Sequence, residues 1–248
     1  MTAALFRVAE GCLNGSSVGG VLSLDGAEAH HAAVRRIRVG EQILLADGSG
    51  LVAESTVVEV GQGQLSARID LIRDDGPPPP RLVLVQALAK NDRDEAAIEA
   101  ATELGVDEVL AWQAGRSVVV WRGERGQRSL RKWGSVVAAA AKQSRRSTVP
   151  QVDGPLTTTR LAERIAAADA AFVLHERAEQ RIAATEIPLE GEVLLVVGPE
   201  GGISDEELEI FVKAGALPVV LGDTVLRSSS AGPAGLAVIL AATRWRRT

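Results

Sequence analysis

The sequence predicts an α/β protein in two parts, a small strand-rich domain followed by a larger, mostly parallel sheet covered by helices. Three observations lead there. The run Asp74-Asp75-Gly76-Pro77-Pro78-Pro79-Pro80 breaks the chain. Four prolines remove four backbone donors and favour extended polyproline geometry, so neither a helix nor a ladder crosses them. Residues 77–80 therefore read as a stiff interdomain spacer. Before the spacer, short β-type runs alternate with turn clusters; after it, apolar runs alternate with helical stretches, the grammar of a parallel sheet.

In the front part, Ala27 to Arg35 is an alanine-rich helix started by Asp25-Gly26. Ile43-Leu44-Leu45 leads into the turn cluster Asp47-Gly48-Ser49-Gly50, and Val52 to Val60 is a β-branched strand. After the turn Gly61-Gln62-Gly63, Leu65, Ala67, Ile69 and Leu71 alternate strictly. This is hairpin grammar, and some 75 residues of it predict a small barrel or sandwich. Behind the spacer, Leu82 to Leu88 is a nearly continuous apolar run, as in a strand buried on both faces. A helix from Asp92 to Leu104 ends at Gly105, and Val106 to Ala111 is the next strand. Helices follow at about 127–144 and 158–168, strands at 171–174, 193–197 and 219–221, and the last helices at 204–214 and about 230–244.

With 46% hydrophobic and 24% charged residues, the composition excludes a disordered or fibrous chain. Cys12 is the only cysteine, which excludes an internal disulfide and a cysteine-rich zinc site. The adjacent His30 and His31 cannot share a helix face as ligands, so no metal is expected. There is no apolar stretch of membrane-spanning length and no secretory leader, so the expected location is the cytoplasm, with no membrane partner. Net charge is −5, but it is unevenly spread. Nine basic residues (Arg116, Arg122, Arg125, Arg128, Arg131, Lys132, Lys142, Arg145 and Arg146) face one acid, Glu124, between 116 and 146. That segment is +8 and the rest of the chain −13. It is either a polyanion-facing surface on an acidic body or a solvated helix face.

The sharpest local motif is Val196-Val197-Gly198-Pro199-Glu200-Gly201-Gly202-Ile203-Ser204. It follows an apolar strand and precedes a helix that opens with a capping box, Ser204 and Glu207. Three glycines there leave backbone amides open to a ligand at a strand end, or simply make a tight strand-to-helix turn. Leu221-Gly222-Asp223-Thr224-Val225-Leu226-Arg227-Ser228-Ser229-Ser230 repeats the arrangement, with Arg227 just before a hydroxyl-rich helix start. Arg227 is either a clamp for negative charge or a surface arginine beside a serine cap. Phe172-Val173-Leu174-His175-Glu176-Arg177 is a third strand end. There, His175 is a ligand contact or an edge residue. Neither a dinucleotide fingerprint nor a Walker loop occurs.

Together these stretches resemble the SPOUT class of knotted methyltransferases, and within it the family that methylates uracil N3 in bacterial 16S ribosomal RNA. The matching residues run nearly end to end: His30-His31 through Val39-Gly40-Glu41 and Asp47-Gly48, then Ala101 to Val106, Arg116-Ser117-Val118-Val119, Gln143, Arg146, Val149-Pro150, Gly198 to Gly202, and Leu221-Gly222 with Val225-Leu226-Arg227. The resemblance implies a PUA-like, RNA-binding β-barrel at 1–76 and a trefoil-knotted, SPOUT-like methyltransferase domain at 81–248. It also implies a homodimer, S-adenosylmethionine as methyl donor, and ribosomal RNA or the small ribosomal subunit as partner. On this pattern the donor is held by Leu174, His175, Val197, Gly198, Pro199, Glu200, Gly201, Gly202, Leu221, Gly222, Val225, Leu226 and Ser228. Arg227 is the catalytic candidate, facing the uracil. Arg35, Arg36, Arg116, Arg122, Lys142, Arg145 and Arg146 are the candidate RNA contacts. The chain departs from the family in two places. Lys142 stands where an acid is usual, and Ser228-Ser229-Ser230 stands for Thr-Glu-Thr, keeping the hydroxyls but losing a candidate base. The rival expectations are a non-catalytic RNA-binding or ribosome-assembly protein with the same fold, for which the serine run speaks, and a small-molecule α/β enzyme of another kind.

Overall fold

A computed structural model describes residues 3–246. The chain divides into two compact units. One runs to Pro77 and takes in Ala141–Val149; the other comprises Pro78–Ala140 and the described residues from Pro150 onward.

In the first unit, five strands form one sheet: β1 (Ala4–Arg7), β2 (Val21–Leu24), β3 (Gln42–Ala46), β4 (Leu51–Gly61) and β5 (Gln64–Asp74), in the order β1-β3-β4-β5-β2. β1 runs parallel to β3 and the other pairs are antiparallel. Helix α1 (Gly26–Val34) buries Ala29 and Ala32, and the core gathers Phe6, Leu13, Ile43, Leu45, Val57 and Ile69. Burial of such side chains stabilises the unit by roughly 1.5–3 kcal/mol each. The segment 141–149 is stitched into this unit by polar contacts. The half-buried Arg7 guanidinium donates to the carbonyls of Ser147 (3.1 Å) and Arg146 (2.7 Å), and Ser147 Oγ donates to the carbonyl of Asp75 at 2.9 Å. Lys142 pairs with the Glu28 carboxylate.

The second unit holds six strands, all in parallel register: β6 (Arg81–Ala87), β7 (Glu108–Trp112), β8 (Gln151–Leu156), β9 (Ala170–Leu174), β10 (Glu192–Val197) and β11 (Leu217–Val219). Their order is β11-β9-β10-β6-β7-β8. The two central strands, β6 and β10, are buried almost throughout, as their apolar runs require. On one face, α4 (Thr158–Ala167) and α5 (Asp205–Lys213) press Leu161, Ile165 and Phe211 onto Val83, Val85, Leu194 and Val196 of the sheet. Trp112 closes that layer, edge-on to Phe211.

On the other face α2 (Arg93–Leu104) packs with α6 (Ser228–Ala242). Gly235 lets α6 lie close to the sheet, since a Cβ there would sit 2.7 Å from Leu195 Cδ2. Helix α2 stops at Gly105, whose φ of +118° suits glycine. The long helix α3 (Gly123–Gln143) buries Trp133 and Val137, with Trp121 edge-on to Trp133 at 5.0 Å.

The helices lie where the sequence predicts them, within a few residues, but three strands do not announce themselves. β1 and β2 are four residues each, and β2 is largely exposed, so neither carries a long apolar run. β8 contains Gly154-Pro155 and is half-exposed; it is an edge strand, where a proline costs no ladder bond. The expected strand at 219–221 is instead Leu217–Val219, two residues earlier, because Pro218 is likewise tolerated at the sheet's other edge.

Candidate functional site

Strands β11, β9 and β10 are neighbours in the sheet, so their carboxyl ends, at Val219, Leu174 and Val197, lie side by side. The loops leaving those ends surround one cavity of about 480 Å³. All thirteen residues expected to hold the donor line it, and so does Arg227. That convergence is a product of strand order, since the three loops are far apart in sequence.

The β10–α5 loop owes its course to its glycines. A Cβ on Gly198 would lie 2.7 Å from Ile203 Cγ1, a buried side chain. A Cβ on Gly201 would lie 3.1 Å from Arg116 Cβ and 3.2 Å from the Arg116 carbonyl oxygen. Gly202 has φ +73°, the left-handed region open to glycine. Glu200 is anchored from outside the loop: its Oε1 accepts from the Lys90 backbone N–H at 3.1 Å and from Arg93 Nη1 at 3.4 Å. The loop ends in the expected capping box, Ser204 Oγ accepting from Glu207 N–H and Glu207 accepting from Ser204 N–H, both at 3.2 Å.

On the β9 side, the His175 N–H continues the sheet by donating to the Val219 carbonyl at 3.0 Å. Its imidazole Nδ1 accepts from the Arg177 N–H at 3.2 Å, which leaves the proton of the neutral ring on Nε2. Burial, then the nearby Arg177 guanidinium, hold the His175 pKa below the usual histidine value. Both act against protonation of the ring.

The β11–α6 loop is more open. Val225, Leu226 and Arg227 are exposed, and Arg227 is the N-cap of α6. Its carbonyl accepts from the Ser230 and Ala231 N–H groups, both at 2.9 Å, so the backbone is fixed while the guanidinium stays at the surface. Ser228, 8% exposed, keeps a buried hydroxyl without a hydrogen-bond partner, a polar atom that a ligand could satisfy.

The candidate RNA contacts divide into two groups. Arg35, Arg36, Arg122 and Arg145 are exposed. Arg116 is exposed as well; it lines the cavity and donates from Nη1 to the Gly201 carbonyl at 3.2 Å. Lys142 is half-buried and pairs with the Glu28 carboxylate. Arg146 donates to Thr148 Oγ1 at 3.2 Å. Sequence reasoning missed Arg93, Glu176 and Arg177 on the cavity wall; His175 pointed to the last two, but nothing in the sequence pointed to Arg93.

A cavity of this size, with glycine-rich backbone along its loops and an unpartnered serine hydroxyl at its edge, fits S-adenosylmethionine. Among the described residues, no group of histidine, cysteine and carboxylate side chains is arranged to hold a metal, and no helix is long and apolar enough to cross a membrane.

Comparison with known proteins points to RNA methyltransferases. Residues 77–240 match the RNA methyltransferase domain, and residues 24–70 the RNA methyltransferase PUA domain. The chain is 49% identical over 234 residues to the ribosomal RNA small subunit methyltransferase E of Mycobacterium tuberculosis, covering 92% of this chain and 89% of that one. Its Bacillus subtilis namesake is 28% identical over 218 residues, covering 84% and 85%. Among solved structures, the Neisseria gonorrhoeae enzyme of that name, bound to S-adenosyl methionine, superposes with a TM-score of 0.83 at 25% identity, covering 97% of this chain and 98% of that one. A Legionella pneumophila putative methyltransferase, also with bound S-adenosyl methionine, gives 0.80 at 26% identity, covering 98% and 99%.

Proposed function

Because this chain belongs to the ribosomal RNA small subunit methyltransferase E family, we propose that it transfers the methyl group of S-adenosylmethionine to N3 of a uracil in 16S ribosomal RNA. The observation that carries this reading is the meeting of the β9, β10 and β11 loops around one cavity lined by every expected donor contact. The donor supplies a methyl carbon on a sulfonium, open to in-line displacement. The protein's task is alignment, and a cavity of rigid backbone serves it.

Uracil N3 carries a proton and is a poor nucleophile until that proton leaves. Arg227 is permanently charged, exposed at the cavity, and held by its backbone as the cap of α6. It stabilises the negative charge that develops on the uracil as water or a nearby polar group takes the proton. Neutral His175 lines the wall without repelling the sulfonium. The first unit, expected at 1–76 and joined by the segment 141–149, is the PUA-like RNA-binding domain; the rest of 81–248 is the catalytic domain, which carries the trefoil knot of the SPOUT class. The working unit is a homodimer acting on ribosomal RNA in the cytoplasm. The exposed Arg35, Arg36, Arg122 and Arg145 meet RNA phosphates. The rival reading, a non-catalytic assembly protein, has only the serine run in its favour.

The test is mass spectrometry of 16S ribosomal RNA from cells lacking the protein. One methyluridine should disappear and return with the wild-type gene; an unchanged methylation pattern contradicts the proposal.

A further inference from the structure

Glu207 is the third residue of α5 and is only 6% exposed. A capping box needs one of its carboxylate oxygens, and Oε2 fills that role by accepting from the Ser204 N–H. The other oxygen leaves the helix altogether. Oε1 accepts from the Gly115 N–H at 2.8 Å, in the loop after β7, and from Thr158 Oγ1 at 2.9 Å, at the start of α4. Trp112 Nε1 donates in turn to Thr158 Oγ1 at 3.4 Å. Three donors thus converge on one buried group. Only a carboxylate, with acceptors on both oxygens, satisfies them; an amide would turn its NH2 toward a donor.

The residue after Gly115 is Arg116, whose Cβ and carbonyl oxygen would crowd a Cβ on Gly201 at 3.1 and 3.2 Å and whose guanidinium holds the Gly201 carbonyl. Glu207 therefore grips both sides of one stretch of cavity wall. At one end it fixes the helix that receives the Gly198–Ser204 loop; at the other it fixes the residue next to Arg116. Gln113 braces the rest of that segment, donating to the Val119 carbonyl at 2.9 Å and accepting from the Trp121 N–H at 3.1 Å.

We infer that Glu207 is a positioning residue for methyl transfer, setting the distance between Arg116 and Gly201-Gly202 and so the shape of the donor cavity. The inference rests on the donor-site reading above. Its test is calorimetric titration of S-adenosylmethionine into the full-length protein and into Glu207→Gln, Thr158→Val, Arg116→Ala and the Glu207→Gln/Arg116→Ala double variant, with circular dichroism to confirm folding. Glu207→Gln weakens donor affinity roughly tenfold and Thr158→Val about threefold, the scale of a buried acceptor lost and of a single hydrogen bond lost. With saturating donor, turnover changes less than affinity. In the Arg116→Ala background the Glu207→Gln penalty shrinks, because the wall it positions is already gone. A purely stabilising role would instead leave affinity unchanged or make the two penalties multiply, and either result overturns the inference. Should Glu207→Gln not fold, unchanged affinity in Thr158→Val overturns it. Absence of binding by the wild type is a different failure: it overturns the donor-site reading, and this inference with it.

Discussion

The cavity at the strand ends and the basic segment 116–146 are built by opposite means. The cavity is built from backbone: a side chain would clash at Gly198, be crowded at Gly201 and be strained by the positive φ at Gly202, and the loop between them is tied down by Glu200, Ser204 and Glu207. The basic segment is built from charge, and at least three of its nine cations make contacts within the protein. Lys132 pairs with Glu95 and Asp92, Lys142 with Glu28, and Arg116 with the Gly201 carbonyl. Arg122, Arg125, Arg128, Arg131 and Arg145 remain exposed. A shape-based site is specified by the residues it lacks, whereas a charge-based surface is overcounted by any sum over the sequence.

Four experiments press on that contrast, beginning with the largest effect. Arg227→Ala should lower turnover at saturating donor about a hundredfold or more while leaving donor affinity near normal. A near-normal rate in a methyl-transfer assay would remove Arg227 from the chemistry. Next, RNA affinity should fall by about two orders of magnitude between about 50 and 200 mM salt if about five cations each release a counterion. Donor affinity should hardly move over the same range. Filter binding against calorimetry separates the two, and salt-indifferent RNA binding would break the comparison.

Gly198→Ala should weaken S-adenosylmethionine about tenfold through the clash with buried Ile203, and should leave RNA binding intact. Equal losses in both would mean that the two regions are not separable. The smallest effect concerns His175. Its pKa is depressed in the folded protein, so its favourable neutral state is fully present above the ordinary value of about 6.5 and is lost as pH falls through the lower folded value. Donor affinity should be flat above about pH 6.5 and decline severalfold as pH falls through the lower folded value, when an imidazolium comes to line the cavity of a cationic donor. His175→Asn should abolish the acid decline; an identical profile in the variant would clear the histidine.

The cavity is the more legible region. Each of its loops follows an apolar strand and carries its own signal: glycines after Val197, a glycine and arginine after Leu221, a histidine after Leu174. Adjacency is what a sequence hides. Arg116 reads as the first member of a phosphate-binding run because spacing along the chain says nothing about the contact it makes with Gly201, 85 residues away. Lys142 reads as free for the same reason, its partner Glu28 being 114 residues distant. In the fold, long apolar runs such as Leu82 to Leu88 declare themselves, while the edge strand Gln151–Leu156 does not, because partial burial and Gly154-Pro155 erase the pattern a strand is read from.

The most direct test is amide hydrogen exchange of the full-length protein with and without S-adenosylmethionine. Donor-dependent protection is expected in the loops 174–177, 198–203 and 221–228, with the strands of the first unit unchanged. Protection confined to other segments, or none at saturating donor, would contradict a donor cavity built from those three strand ends.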